Sequence, residues 1–279
     1  MTRSRGIEQN RMSPHVKRWI TGIIAAPLLF LIIWYGSEEV FAAFIVLVVL
    51  AAFHEYNKLV FGSAHFWEKW IGVVLAFFIP TAVFTGNTRL ILAVVALSVL
   101  SAFIIFLSQI KDSSFNINHL GKLVLGLMYV PFMVSHFILI RQAENGVLWV
   151  FFILVLAFSG DIAAYYVGKT IGKRKLIPVV SPGKTVEGTL GLIAGSTAAC
   201  VLFKVLFFPV LPLIHALILG FLGSIIGQLG DLCESAMKRA SGVKDSGSIL
   251  LGHGGLLDRL DCLIFIAPFV YYYQIFLVK

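Results

Sequence analysis

The chain has 279 residues, of which 59% are hydrophobic and only 13% charged, with a mean hydropathy of +0.93. A soluble domain of this length carries about 25% charged residues, so a water-soluble globular fold is excluded. The formal charge of +8 is not the mark of a nucleic-acid binder either, because that would need a basic soluble domain and the sequence offers none.

Many of those runs approach the roughly 20 residues that a helix needs to cross a bilayer. The short alternating strands of a membrane barrel are missing. The pattern predicts an all-α integral membrane protein, a polytopic bundle of about nine transmembrane helices. In chain order these are Trp19–Tyr35, Glu39–Val60, Trp67–Phe84, Thr88–Ile110, His119–Ile140, Gly146–Val167, Gly188–Phe208, Leu211–Gly230 and Leu260–Val278. The first follows a basic tail, residues 1–18, as the apolar core of a signal peptide would. "WYGSEEVF" comes next and offers no small-residue cleavage site, so a retained span is expected.

Of the 22 Lys and Arg residues, 18 fall in the tail, the even-numbered loops or the span ends that border those loops (Lys58, Lys69 and Lys122); Arg89, Arg141 and Lys279 lie in none of these, and Lys204 sits within a span. This asymmetry predicts a cytoplasmic N-terminus, with those loops on the same side. The net charge then follows from insertion topology and attraction to anionic headgroups. Cys200, Cys233 and Cys262 show no CxxC spacing and read as thiols within or beside spans, without a disulfide or zinc site.

Polar chemistry is sparse in the N-terminal region, residues 19–141. "FHEYNKL" (53–59) puts His54, Glu55 and Lys58 at the cytoplasmic end of the second span, as interfacial anchors or as support for a site. The C-terminal region, residues 142–279, is different. Asp161 falls inside a span, and an ionisable residue at that depth marks a functional site; Tyr165, four residues on, shares its helix face. The cytoplasmic loop 168–187 is basic and ends in "SPGKTVEG" (181–188). A Gly-Lys-Thr before a helix suggests a P-loop, but Pro178 stands where the first glycine would be and no strand is evident before it. A lysine, a hydroxyl and free amides at a helix start would still favour a phosphate.

The eighth span runs into "GQLGDLCESAMKRASG" (227–242), which as a helix puts Asp231, Glu234, Ser235 and Lys238 on one face. The second cytoplasmic loop, 231–259, closes with "KDSGSILLGHGGLLDRLD" (244–261). Asp231 and Asp258 flank this loop and could converge at its base, where Mg²⁺ takes one or two carboxylates plus substrate phosphates. The glycines of "GHGG" allow close backbone approach to a ligand. The plainer alternative is that these acids pair with Lys238, Arg239, Lys244 and Arg259. Glycines 188, 191 and 195, with 220, 223, 227 and 230, are expected to hold spans seven and eight together.

The run "SAMKRASGVKDSGSILLGHGGLLDRLD" (235–261) closely resembles the signature of the phosphatidate cytidylyltransferase (CDP-diacylglycerol synthase) family. "SPGKTVEG" and the segment around Asp161 are similar to that family's upstream motifs. One position departs from it: Leu251 stands where proline or a small turn residue is usual. The resemblance implies transfer of the cytidylyl group of CTP to phosphatidate, giving CDP-diacylglycerol and pyrophosphate in phospholipid biosynthesis. It implies a multi-pass protein of the inner membrane that uses Mg²⁺; a second, monovalent cation and a homodimer are left open.

By the same resemblance, Asp231 and Asp258 would hold the metal, with Asp261 and Asp245 orienting or extending that shell. Lys184, Lys238, Arg239, Lys244 and Arg259 would bind the triphosphate and the lipid phosphate. Ser181, Thr185, Ser235, His253, Gly254 and Gly255 complete the substrate-binding set, and Asp161 would sit near the lipid headgroup or support the metal. The rival reactions are a CTP-dependent polyprenol or phytol kinase, against which the complete signature argues, and an ion-coupled transporter. A transporter would show paired repeats with broken helices in both halves, whereas the polar motifs here crowd into the second half.

Overall fold

A computed structural model describes residues 14–62, 66–108, 110, 117–247, 249 and 254–278. Helices α1 (Pro14–Tyr35) and α2 (Glu38–Phe61) are separated by a tight turn. There the Ser37 hydroxyl accepts the Val40 N–H at 3.4 Å, and Glu38 and Glu39 occupy the positive first turn of α2. Gly62, at φ +60°, ends that helix. Between α3 (Phe66–Phe84) and α4 (Thr88–Ser108), the Asn87 side chain accepts the N–H groups of Arg89 and Leu90 and starts the next span.

The fifth expected span is not one regular helix. It consists of α5 (Asn118–Leu127), a π-helical turn at Met128–Phe132, and α6 (His136–Gln142). Pro131 lies in that turn; with no N–H to donate, it breaks the regular ladder and the chain widens locally. Next come α7 (Gly146–Ile171), strands β1 (Lys175–Ile177) and β2 (Ser181–Thr185), α8 (Val186–Leu206), α9 (Leu213–Ala240) and α10 (Leu257–Leu277). Among the described residues, with α5 and α6 taken as one rod, nine rods stand where nine spans were expected. Among the described residues seven are long and apolar enough to cross a membrane, and the described apolar part of α1 is Ile23–Tyr35.

Two bundles share one core. Helices α2, α3, α5 and α6 form the first and α7 to α10 the second, and α10 packs against α2 and α6 as well as α9. Phe41, Phe53 and Tyr56 of α2 are buried in the same cluster as Leu123, Ile138, Phe152, Leu156 and Ile264.

The glycine rows do not divide as expected. A Cβ on Gly191 or Gly195 would fall 2.7 Å from Val167 or 2.4 Å from Ala163, so the α8 row faces α7 instead of α9. Gly220 alone serves the expected α8–α9 contact, 2.7 Å from the Thr197 α-carbon, while Gly227 and Gly230 let α10 approach α9. The spacing identified close-packing faces; it could not say which neighbour each face would meet.

Candidate active site

Between α7 and α8 the basic segment folds back as an antiparallel hairpin, with Lys175 opposite Thr185 and Ile177 opposite Ser181. A strand does therefore precede "SPGKT", contrary to expectation, but as the partner of a hairpin and not as the strand of a P-loop. Glu187, in the first turn of α8, clamps the hairpin's base by accepting the N–H groups of Lys173 (3.0 Å) and Arg174 (3.2 Å) and the Arg174 Nε–H. The sequence reading gave Glu187 no task; its place in the first turn of α8 is where the helix dipole favours an acid. Thr185 is buried beneath Gly168 and Gly172, and its hydroxyl accepts the Gly188 N–H at 3.0 Å. That hydroxyl is committed to capping α8.

The hairpin thereby brings Lys184 over α9, where its ammonium lies 2.5 Å from Asp231. A cleft of about 280 Å³ opens here, lined by Asp161, Lys169, Lys184, Thr189, Gln228 and Asp231. Gln228 donates to the Thr189 hydroxyl at 2.7 Å, and the Ser235 hydroxyl donates to Asp231 at 3.3 Å. Asp261 and Asp161 both lie within electrostatic reach of Asp231, and Arg259 within reach of Asp161. Two carboxylates, Asp161 and Asp231, thus line one cleft, with Lys184 paired directly to Asp231.

One helical repeat further along α9 stands a second ion-pair network. Lys238 is seven residues after Asp231, about 10 Å along the axis and on nearly the same face. Its ammonium pairs with Glu234, which is fully buried, and with Asp258 of α10 at 2.7 Å. Asp258 also accepts the N–H groups of Ser246 (3.1 Å) and Gly255 (2.8 Å). The plain pairing of acid with base is therefore realised for Asp258 with Lys238, while Asp231 takes a partner from the other loop.

The network has one member from the N-terminal bundle. Glu55 of α2 is 2% exposed, and its Oε2 accepts the Leu257 N–H at 2.9 Å and the Ser246 hydroxyl at 3.4 Å. Of the two readings of "FHEYNKL", the anchoring one does not describe Glu55. Nothing in its neighbours' spacing points across the bundle, because its contacts come from some 190 to 200 residues later.

The other expected site residues divide. Arg239 ties the hairpin turn to the end of α9 by donating to the Val180 and Val243 carbonyls. Ser181 is half-buried in β2, and Lys244 and Asp245 are exposed on the loop after α9. Gly254 sits at φ +82° and Gly255 is buried against Ser246. His253 and Leu251 lie outside the described residues.

A family model described as the cytidylyltransferase family matches residues 16–277. The chain is 38% identical over 188 residues to a phosphatidate cytidylyltransferase of Bacillus subtilis, covering 67% of this chain and 68% of that one. It is 32% identical to proteins of the same name from Brucella suis, over 93% of both chains, and from Synechocystis, over 94% of this chain and 97% of that one.

Proposed function

The chain belongs to the cytidylyltransferase family, and on that premise we propose that it transfers the cytidylyl group of CTP to phosphatidate, releasing pyrophosphate and forming CDP-diacylglycerol. The observation that carries this reading is the pair of lysine-bound carboxylates, Lys184–Asp231 and Lys238–Asp258, two turns apart along α9. Two polyanions must meet in this reaction, and a row of replaceable charge pairs within a membrane bundle suits that task. The curated relatives bear the name of this activity.

The chemistry asks for little covalent help. An oxygen of the lipid phosphate, ionised at neutral pH, attacks the α-phosphorus of CTP. A P–O bond forms there, the bond to the bridging oxygen of the β-phosphate breaks, and the electron pair leaves with pyrophosphate. Catalysis then rests on positioning and charge neutralisation. Lys184 in the cleft and Lys238 beyond it would hold phosphates, with Arg259 on the neighbouring helix. Asp161, within the bundle, would face the lipid headgroup. The diacyl chains stay in the bilayer throughout.

Mg²⁺ fits the residues present. Asp231 and Asp258 each offer the oxygen donors that a hard divalent cation prefers, and each carries an ammonium, so a positive charge is accommodated at either, though they stand in separate ion-pair networks. Among the described residues no three His, Cys, Asp or Glu side chains form a cluster able to hold a metal ion, so substrate phosphates and water would complete the shell. Bound magnesium supplies neutralisation of phosphate charge. Where such an ion was held by Asp231 or Asp258, the paired Lys184 or Lys238 would be free to hold a phosphate. We place the protein in the inner membrane, with the hairpin and the loop after α9 on the cytoplasmic side.

The test uses purified protein in mixed micelles with phosphatidate, Mg²⁺ and CTP labelled at the α or the γ phosphate, alongside Asp258→Asn. Label from the α position enters the lipid phase, pyrophosphate accumulates, and the variant loses turnover. Transfer of γ-label would instead establish a kinase.

A further inference from the structure

We propose that Glu55 is a positioning residue for this site: from the N-terminal bundle it fixes the loop before α10 and, through that loop, the carboxylate of Asp258. The inference deepens the cytidylyltransferase reading and rests on it for the kinetic arm of its test.

A carboxylate buried in a membrane bundle is costly unless its oxygens are satisfied. Among the described residues no lysine or arginine pairs with Glu55; its Oε2 accepts the Leu257 N–H at the start of α10 and the Ser246 hydroxyl, while its buried Oε1 has no hydrogen-bond partner among them. Ser246 is itself 5% exposed, and its own N–H donates to both Asp258 oxygens, at 3.3 and 3.1 Å. The chain of contacts therefore runs from Glu55 through Ser246 to Asp258, then through Lys238 to Glu234.

The fit around the carboxylate is close on two sides. A Cβ on Gly247 would lie 2.1 Å from the Glu55 Oε1, and one on Gly255 would lie 2.7 Å from Oε2 and 2.1 Å from the Ser246 hydroxyl. Both glycines belong to the segment that carries the family signature, so the loop is shaped to admit this side chain.

The test combines hydrogen exchange with kinetics on the full-length protein. Glu55→Ala should speed amide exchange in peptides covering residues 244–258 and lower kcat about 10–100-fold, with a much smaller change in the KM for CTP. Glu55→Gln keeps a carbonyl to accept both hydrogen bonds and should recover most of the turnover and protection. Gly255→Ala disturbs the same contacts with Glu55 intact and should reproduce the alanine variant, which keeps the idea testable if Glu55→Ala folds poorly. Ser246→Ala added to Glu55→Ala should cost little more, because the two act in one chain. Unchanged exchange over 244–258 in Glu55→Ala and Gly255→Ala overturns the proposal. So does a lower melting temperature with full kcat per folded molecule. Exchange needs no turnover: a protein that fails to transfer α-label but shows the exchange response refutes the reaction and leaves the positioning role standing.

Discussion

Lys238 serves two carboxylates at once, one of them, Glu234, fully buried. Removing the ammonium strands that charge inside the bundle. Lys238→Met should therefore cost about 3–5 kcal/mol of stability, read as a lower melting temperature in detergent. Glu234→Gln combined with Lys238→Met should restore much of it, since the fully buried charge is gone and Asp258, which is partly exposed, still accepts from Ser246 and Gly255. Asp258→Asn should behave differently: its amide oxygen can still accept from Ser246 and Gly255, so turnover falls much further than stability. These residues were all legible in the sequence as a charged cluster in an apolar chain. What was not legible was the choice of partners, Lys184 for Asp231 and Lys238 for Asp258, because both arise from the packing of separate elements.

Among the elements, α7 and α8 depend on side chains that are missing. Gly195 lets Ala163 approach where a methyl group would already collide at 2.4 Å. Gly195→Leu should push the helices apart and lower stability by about 1–3 kcal/mol, with loss of activity because the hairpin between them carries Lys184. Gly121 of α5, around which a Cβ would meet nothing within 4 Å, is the control. Gly121→Ala should leave activity intact and raise stability by up to about 1 kcal/mol, as expected for glycine replaced within a helix. Thermal unfolding of both variants checks the pair. The hairpin shows the limit of local reading: three- and five-residue strands lie in a segment whose basic charge suggested a loop, and they are held by Glu187 and the Thr185 cap rather than by strand propensity.

At the scale of the whole molecule, α10 joins the two bundles, and its N-terminus is where Glu55 and Asp258 meet the loop after α9. The charge distribution predicts that this end faces the cytoplasm. In a variant whose native cysteines are replaced, Lys244→Cys should react with a membrane-impermeant thiol reagent in inverted vesicles and resist it in intact cells. The reverse pattern would invert the topology.

The sequence by itself determined the class, the number of rods among the described residues, and where the charged residues of an apolar chain concentrate. Length of apolar run, rarity of charge and the spacing of a signature are local properties, and each is complete along the chain. Only the tertiary structure decided which glycine row meets which helix, that Pro131 turns the fifth rod through a π-turn, and that Glu55 reaches a loop some 190 residues away. Those outcomes depend on how faces of similar composition find one another. In a bundle whose helices are apolar nearly all round, the pattern along any one of them does not say which face will be matched.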